Sequence, residues 1–261
     1  MKYYLRHFAD RHFSHINNRK LRNKSAERQL VQLFFANSEE GYFVDVGANH
    51  PKIFSQTWHL EQKGWRGILI EPIPELCEDL IKNRPRSVIV QAACGAPEQR
   101  GQVKFYVADG FTRSTLEKNA LSLNVSFTHT DLVDLKTLDD ILEEFNPPNI
   151  DFVSIDVEGL QLNVLLGFNL QKYRPTLLLV EDHLHNLKTH HYLRQCNYYL
   201  AKRTSRNSWY VPVGTSFELT TPLERFLLWQ KVWLRTPVRK LRIAWKVTSR
   251  KNARSQKNNS E

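Results

Sequence analysis

A carboxylate, a glycine and an asparagine follow one another at the end of an apolar run, where such side chains could contact a ligand. The run Tyr42–Val46 contains Asp45 and is followed by Gly47 and Asn49. Because the run hardly alternates between apolar and polar residues, we expect a buried parallel strand. Gly47 and Asn49 tolerate positive φ, which predicts a turn that lets the backbone approach a ligand closely. A helix is expected to start between residues 51 and 55, with its free N–H groups facing the ligand.

A second acidic residue ends the next apolar run. Residues 67–70 lead into Glu71, which lies 26 residues after Asp45. An acidic residue about 20 positions further along the chain is placed to hydrogen-bond a ribose diol. Neither the G-x-G-x-x-G dinucleotide fingerprint nor a G-K-[ST] phosphate loop is present, because the turn contains only Gly47. A ribose contact without a phosphate cradle favours a nucleoside ligand without phosphates, and S-adenosylmethionine fits this description.

Two further carboxylates, Asp156 and Glu158, stand two residues apart after another apolar run. This spacing would put both on one face of an extended segment, where they repel each other unless a cation or a hydroxyl lies between them. Pairing with the N-terminus of the following helix is the structural alternative. No metal is predicted, but Asp156, Glu158, Asp182 and His183 have the oxygen-rich chemistry for Mg²⁺ if they converge.

The elements that position these residues alternate between strands and helices along the chain. Strands are predicted within residues 42–46, 67–70, 87–92, 102–107, 151–159 and 174–183, and a closing hairpin at 198–202 and 208–213. Helices are predicted at 25–35 with Ser25 as N-cap, at 55–63, 73–81 and 159–166, and at 139–145 with a Thr137–Asp140 capping box. Parallel strands bind ligands outside their carboxyl ends, so Asp45, Asp156 and Glu181 should meet at one edge of the sheet.

Four motifs in sequence order resemble those of the FkbM family of S-adenosylmethionine-dependent O-methyltransferases: VDVGANHP, GWRGILIEP, DFVSIDVEG and RPTLLLVE. The resemblance covers about residues 40–213. It implies an α/β fold with a Rossmann-like class I methyltransferase sheet, mostly parallel with a closing antiparallel hairpin. It also implies that the methyl acceptor is a hydroxyl of a sugar, glycan or glycolipid. His50-Pro51 stands where many relatives continue with glycine, so the role of position 50 stays open.

The resemblance also implies roles for individual residues. Those implied to bind S-adenosylmethionine are Asp45, Gly47, Asn49, Glu71, Ala93 and Asp156. Ala93 belongs to a small-residue strand end of the kind that lies beside the adenine in this fold. The residues implied to meet the acceptor and to assist removal of its proton are Asp156, Glu158 and His183. Ser114 and Thr115, in a polar stretch, are further candidates for ligand contact.

Composition and cysteine usage set limits on the class of protein. A chain of 261 residues with 41% apolar residues can bury one substantial core, which predicts a single catalytic domain with terminal extensions. Its three cysteines form no C-x-x-C pair, which argues against a disulfide scaffold or a zinc knuckle and suits a reducing cytoplasm. No apolar run approaches about 18 residues and no signal-peptide core is visible. We therefore expect a cytoplasmic protein that neither spans a membrane nor is exported.

The net charge of +10 is concentrated at the two ends of the chain. Residues 1–30 carry +6, residues 31–224 carry −6 and residues 225–261 carry +10. The predicted domains are a basic helical N-terminal extension (1–36), the methyltransferase domain (37–215) and a basic amphipathic C-terminal extension (216–261). An acidic body does not favour a specific nucleic-acid partner.

The C-terminal extension has the pattern of an interfacial helix. Apolar residues recur at steps of three or four before and after Pro237: Phe226, Trp229, Trp233, Val238, Leu241 and Trp245. Lysines and arginines fill much of the remainder, which predicts that residues 222–257 attach peripherally to an anionic membrane, on its inner face. A terminal helix packed on the body is the plain alternative, and attraction of nucleic acid ranks third.

Two other functions remain open from the sequence. A nicotinamide oxidoreductase would share the sheet but would need a second glycine near position 49 and a phosphate-binding turn. A catalytically inactive nucleoside-binding module would keep the fold and lose the reaction. The sequence does not determine the acceptor, the general base or the oligomeric state.

Overall fold

The computed structural model describes residues 18–108, 114–116, 126–182, 187–204 and 206–235. The strands within these ranges are β1 (Tyr42–Val46), β2 (Arg66–Ile70), β3 (Ser87–Val90), β4 (Ala93–Cys94), β5 (Gly101–Ala108), β6 (Phe127–Lys136), β7 (Phe152–Ile155), β8 (Leu177–Glu181), β9 (Tyr198–Thr204) and β10 (Asn207–Pro212). The helices are α1 (Asn18–Phe34), α2 (Trp58–Glu61), α3 (Pro74–Asn83), α4 (Leu138–Phe145), α5 (Gln161–Leu166), α6 (Leu170–Tyr173), α7 (Lys188–Gln195) and α8 (Pro222–Gln230), with a short 3₁₀ turn at Pro97–Gln99 and a π-helical turn at Lys231–Arg235.

Seven of the described strands form one sheet in the order β3-β2-β1-β7-β8-β10-β9. The first five are parallel, and β10 runs antiparallel to both β8 and β9. This arrangement confirms the expected Rossmann-like class I methyltransferase sheet with its closing hairpin. The chain order reverses at β1, which lies between β2 and β7, and ligands of such sheets bind at this switch point.

Both faces of the sheet are buried. Alternate side chains of β1 enter different cores, with Val44 and Val46 on one side and Phe43 on the other. Helices α4, α5 and α7 cover the first face, and α1, α2 and α3 cover the second. The strands read as nearly continuous apolar runs because neither face meets water.

A second, three-stranded sheet in the order β4-β6-β5 contains a strand that the sequence analysis did not assign. Strand β6 is largely exposed, and apolar and polar residues do not alternate regularly along it. Its sequence therefore lacks the two-residue hydrophobic period that indicates a strand. It is fixed by antiparallel pairing with β5, whose position was predicted correctly. An isolated bridge from Tyr106 to Thr115 attaches residues 114–116 to this sheet.

Two predicted helices are present with different bounds, and one was confirmed in detail. Helix α1 begins at Asn18, so Ser25 lies inside it and is not its N-cap. The helix expected at 55–63 shrinks to α2: Phe54 (φ 65°) precedes it in a left-handed conformation, and the Ser55 hydroxyl accepts from the N–H groups of Thr57 and Trp58 at 3.3 and 3.1 Å, so residues 55–57 form a turn ahead of the helix. At α4 the Thr137 hydroxyl accepts from the Asp140 N–H at 3.1 Å and the Asp140 carboxylate accepts from the Thr137 N–H at 2.9 Å, as the capping box requires.

No helix in the described part of the chain is long and apolar enough to span a membrane.

Candidate active site

A cavity opens at the carboxyl edge of the sheet, beside the switch point. Among the residues that line it are those expected from the sequence: Asp45, Gly47, Asn49, Glu71, Ala93, Ser114, Thr115, Asp156 and Glu158. Strands β1, β2 and β7 end at this cavity, and β8 and β10 add Glu181 and Asn207. The structure therefore brings together the sequence candidates that it describes, whereas His183 lies outside the described residues.

Gly47 makes the turn after β1. Its φ is +80°, and a Cβ atom at this position would lie 2.2 Å from the backbone carbonyl oxygen of Asp156. The close approach that requires glycine is therefore made to the neighbouring loop, and not only to a ligand as the sequence suggested. The N–H groups of Gly47 and Ala48 both donate to the Ile70 carbonyl, at 3.0 and 3.1 Å, which ties the turn to the end of β2.

Glu71 at the end of β2 is held by two backbone donors. Its carboxylate accepts from the Asn49 N–H at 2.8 Å and from the Ile73 N–H at 3.1 Å. The side chain is buried, and this desolvation raises its pKa to about 7 although the two N–H donors act in the opposite direction. Glu71 thus changes charge near neutral pH at the position expected to contact a ribose.

The raised pKa of Glu71 predicts a measurable pH effect on stability. A carboxyl group that is neutral in the folded protein and charged in the unfolded chain stabilises the fold at low pH, and this contribution is lost as pH rises from about 4.5 to about 7. We expect the free energy of unfolding of the wild type, relative to Glu71→Gln, to fall by about 3 kcal/mol between pH 4.5 and pH 8, at ~1.4 kcal/mol per pKa unit. Urea titrations of both proteins across this range would measure it, and a constant difference would contradict the assignment.

Position 50 has a local structural role. The Nδ1 atom of the His50 ring accepts from the backbone N–H groups of Lys52 and Ile53 at 3.0 and 2.9 Å. The backbone N–H of His50 donates to the side-chain oxygen of Asn49 at 2.9 Å. Burial lowers the pKa of His50, which favours the neutral ring that can accept these bonds. The histidine therefore orders the loop between β1 and α2, which answers the question that the sequence left open at position 50.

Asp45 is positioned by side chains and not by a helix N-terminus. The Thr57 hydroxyl donates to its carboxylate at 2.8 Å, and Arg84 donates to the same hydroxyl at 3.1 Å. Arg84 is in turn paired with Glu61 of α2, and both are almost fully buried. Burial raises the pKa of Asp45, while Thr57 and Arg84 oppose the shift. A chain of polar contacts thus runs from Glu61 of α2 through Arg84 and Thr57 to Asp45 of β1. It lies in the segment where the sequence predicted a helix start that faces the ligand.

The carboxylates of Asp156, Glu158 and Glu181 converge at the other side of the cavity. Their oxygen atoms lie within 4.8 Å of one another. The sequence analysis predicted that Asp156 and Glu158 lie together because both would share one face of an extended strand. The two carboxylates do lie together, but β7 ends at Ile155 and Glu158 has a φ of 39°, so this segment is not extended. Arg206 lies 3.5 Å from Glu181, which was expected at this edge of the sheet. Asp182, named as a possible Mg²⁺ ligand, does not belong to this cluster. Acidic groups of this kind also occur without an ion, so the cluster by itself does not define a metal site.

The FkbM methyltransferase domain matches residues 45–202 of the sequence, which is more than half of the chain. This chain belongs to the FkbM methyltransferase family. The match begins at Asp45 and includes the candidate residues from β1 to the loop after β8. The expectation of an S-adenosylmethionine-dependent methyltransferase is thereby confirmed.

Solved structures that resemble this FkbM protein are also methyltransferases. The N-terminal domain of human METTL16 is 13% identical, with a TM-score of 0.43, over 75% of this chain and 70% of that chain. TrmK of M. capricolum, solved with S-adenosylhomocysteine, is 9% identical, with a TM-score of 0.40, over 80% of this chain and 74% of that one. At these values the similarity carries no information on substrate. Comparison with curated proteins gave no significant match.

Glu27 is a cavity residue that the sequence analysis missed, and it precedes the FkbM match. It is 3% exposed, and its carboxylate accepts from Gln56 at 2.8 Å and from the side chains of Asn207 and Thr204. The signal was available, because Glu27 falls on the same face of α1 as the buried Val31, four residues later. The buried Oε1 atom of Gln56 has no hydrogen-bond partner in the described structure, which leaves it available to a ligand donor.

Cys94 is a buried residue of the cavity lining next to Ala93. Burial raises the pKa of its thiol to about 12, so it stays protonated at neutral pH. A protonated, buried thiol suits a packing role and not that of a nucleophile. Ala93 itself is buried in β4 and also lines the cavity.

Proposed function

We propose that this FkbM protein transfers the methyl group of S-adenosylmethionine to a hydroxyl of a sugar, glycan or glycolipid. The observation that carries the proposal is the division of one cavity between two sets of acidic groups. Asp45 and Glu71 lie at the ends of β1 and β2, and the cluster of Asp156, Glu158 and Glu181 lies beside them. The first set suits the donor and the second suits an acceptor hydroxyl.

On the donor side, we assign each part of S-adenosylmethionine to lining residues of the cavity. In this assignment Glu71 would bind the ribose diol, and Ala93 would lie beside the adenine. Asp45 and the turn at Gly47 and Asn49 would hold the methionine portion. The sulfonium is positively charged, so a cavity lined by carboxylates favours its binding.

The reaction is an in-line displacement at the methyl carbon. The donor supplies an activated methyl group, so the protein must mainly align the acceptor oxygen and take up its proton. As the new O–C bond forms, the S–C bond breaks and the hydroxyl proton passes to a carboxylate of the cluster. Asp156 is our choice for this base, because its backbone contacts the Gly47 turn and its carboxylate belongs to the cluster.

A carbohydrate acceptor fits the polar groups on this side of the cavity. Acidic and amide side chains such as Glu158, Gln56 and Asn207 are suitable partners for several hydroxyls of one sugar. The net charge of −6 over residues 31–224 does not favour an RNA acceptor, because nucleic-acid binding depends on phosphate neutralisation.

The donor assignment is tested by binding calorimetry. We expect Glu71→Ala to weaken binding of S-adenosylmethionine at pH 8, where this carboxylate is charged, by about 1.5–3 kcal/mol, the usual range for a hydrogen bond to a charged group. Glu75→Ala is a matched control, because this glutamate lies on the exposed surface of the adjacent helix α3. Equal binding by all three proteins, or tighter binding of NAD than of S-adenosylmethionine by the wild type, would contradict the assignment.

The acceptor assignment is tested by transfer of a labelled methyl group. Purified protein and labelled S-adenosylmethionine are incubated with glycan, glycolipid and RNA fractions, and the products are analysed by mass spectrometry. The proposal predicts label on a sugar oxygen. Label confined to RNA would contradict a sugar acceptor and identify RNA as the acceptor class. Cofactor binding without transfer to any fraction would favour an inactive binding module.

A further inference from the structure

Helix α8 and the turn after it present a broad apolar surface to solvent. Six large side chains of this surface, which we call the α8 face, are each between 44% and 65% exposed: Leu223, Phe226, Leu227, Trp229, Trp233 and Leu234. The four that belong to α8 itself occupy less than half of the helix circumference. The rings of Phe226 and Trp229 stack on each other, with centroids 6.2 Å apart.

The opposite side of the helix is attached to the body, which fixes the direction of the α8 face. Val232 is buried against Leu187 and Leu200. Lys202 of β9 contacts Glu224 at 3.2 Å, and Arg225 donates to the Phe217 carbonyl at 2.8 Å. No residue of α8 itself is buried, so this segment is attached to the body through Val232, through these two polar contacts and through the Arg194 guanidinium, which lies 5.2 Å from the centre of the Trp233 ring.

An apolar surface of this extent needs a partner. Contiguous exposed patches of large apolar side chains are uncommon on soluble monomers and mark interaction sites. Tryptophan and phenylalanine beside cationic residues are typical of helices that lie in the interfacial region of a bilayer.

Charge identifies the partner. Residues 225–261 contain 11 basic residues and one acidic residue, and Arg225 and Lys231 lie on the helical segment itself. A second copy of this chain would bring the same positive charge against it, and the backbone of a nucleic acid would not bury the apolar side chains. An anionic lipid bilayer satisfies both properties, because its head groups attract the charge and its acyl region accepts the rings.

We propose that the α8 face is a docking surface for anionic membranes. The proposal does not depend on methyl transfer, so its failure would leave the proposed reaction untouched. It also predicts how the protein is oriented, since Lys202, which contacts α8, is two residues before Thr204, whose hydroxyl donates to the cavity residue Glu27. Docking would hold the Glu27 side of the cavity towards the bilayer surface.

Vesicle sedimentation of the full chain tests the proposal. The probes are phosphatidylcholine vesicles and vesicles of equal parts phosphatidylcholine and phosphatidylglycerol. We expect the protein to sediment with the mixed vesicles at low salt, to remain in solution with phosphatidylcholine alone, and to detach as salt screens the charge. The double variant Phe226→Ser with Trp229→Ser should bind at least about tenfold more weakly, because two aromatic rings are lost from the interface.

The matched control is Ile81→Ser with Leu132→Ser. These side chains are 63% and 67% exposed on other elements, so the control removes apolar surface of similar exposure away from α8 and should bind like the wild type. Equal binding of the α8 variant and the wild type would overturn the proposal. The proposal would also be overturned if the wild type did not bind vesicles but formed dimers in analytical ultracentrifugation, and if the α8 variant did not form these dimers.

Discussion

Arg84→Ala is expected to lower the free energy of unfolding by about 3–5 kcal/mol, the usual cost of removing one partner from a buried ion pair. Arg84 is 1% exposed and is paired with the equally buried Glu61. Its guanidinium also donates to the Pro51 carbonyl at 3.2 Å and to the hydroxyls of Ser55 and Thr57, at 3.2 and 3.1 Å. Alanine would leave the Glu61 carboxylate without its cation and would release the loop that carries Thr57 against Asp45.

Urea denaturation provides the measurement, with Arg86→Ala as the matched control. Arg86 is two residues away and its side chain is exposed, so its loss should change stability by no more than about 0.5 kcal/mol. The double variant Arg84→Met with Glu61→Leu should recover much of the loss, because no buried charge remains unpaired. If Arg84→Ala were as stable as Arg86→Ala, the Arg84–Glu61 pair would contribute little to the stability of the fold.

Asp156→Asn is expected to reduce turnover by roughly 10²-fold or more, with the affinity for S-adenosylmethionine nearly unchanged. The amide has the shape of the carboxylate but cannot take up the proton of the acceptor hydroxyl. Single-turnover transfer to the acceptor found by the screen measures the chemical step, and calorimetry measures cofactor affinity separately.

Asp151→Asn is the matched control for this experiment. Asp151 precedes the same strand at its other end, where its carboxylate accepts from the Tyr42 N–H at 2.9 Å, away from the cavity. An asparagine can still accept this bond, so turnover should stay at the wild-type level. Normal turnover of Asp156→Asn would give Asp156 and Glu158 a structural role, and loss of cofactor affinity would move Asp156 to the donor side.

The sequence was sufficient to predict the seven-stranded sheet and the acidic residues that its strands bring to the cavity. Strands β1, β2, β7 and β8 are apolar runs that stop on or beside a charged residue, so both their burial and their ligand-facing ends are encoded locally. Parallel strands then place Asp45, Glu71 and Glu181 at one edge without any further information.

The remaining features depend on contacts between distant residues. Arg84 is a charged residue in a polar stretch, and its burial becomes clear only from Glu61, which lies 23 residues earlier in the chain. Glu27 reaches the cavity through Asn207, which is 180 residues away in sequence. The positive φ of Glu158 likewise follows from the packing around it, since nothing in its residue type demands that conformation.

The contact between Gly47 and the Asp156 carbonyl joins the loop that would hold the methyl donor to the loop that would meet the acceptor. In the proposed reaction, main-chain packing between these two loops would therefore set the distance between donor and acceptor. Alignment matters greatly here, since a misplacement of about 1 Å can cost roughly 10²-fold in rate. Side chains around the cavity can change to admit a new acceptor while this spacing stays the same, so substrate preference can evolve in this protein without rebuilding the geometry of transfer.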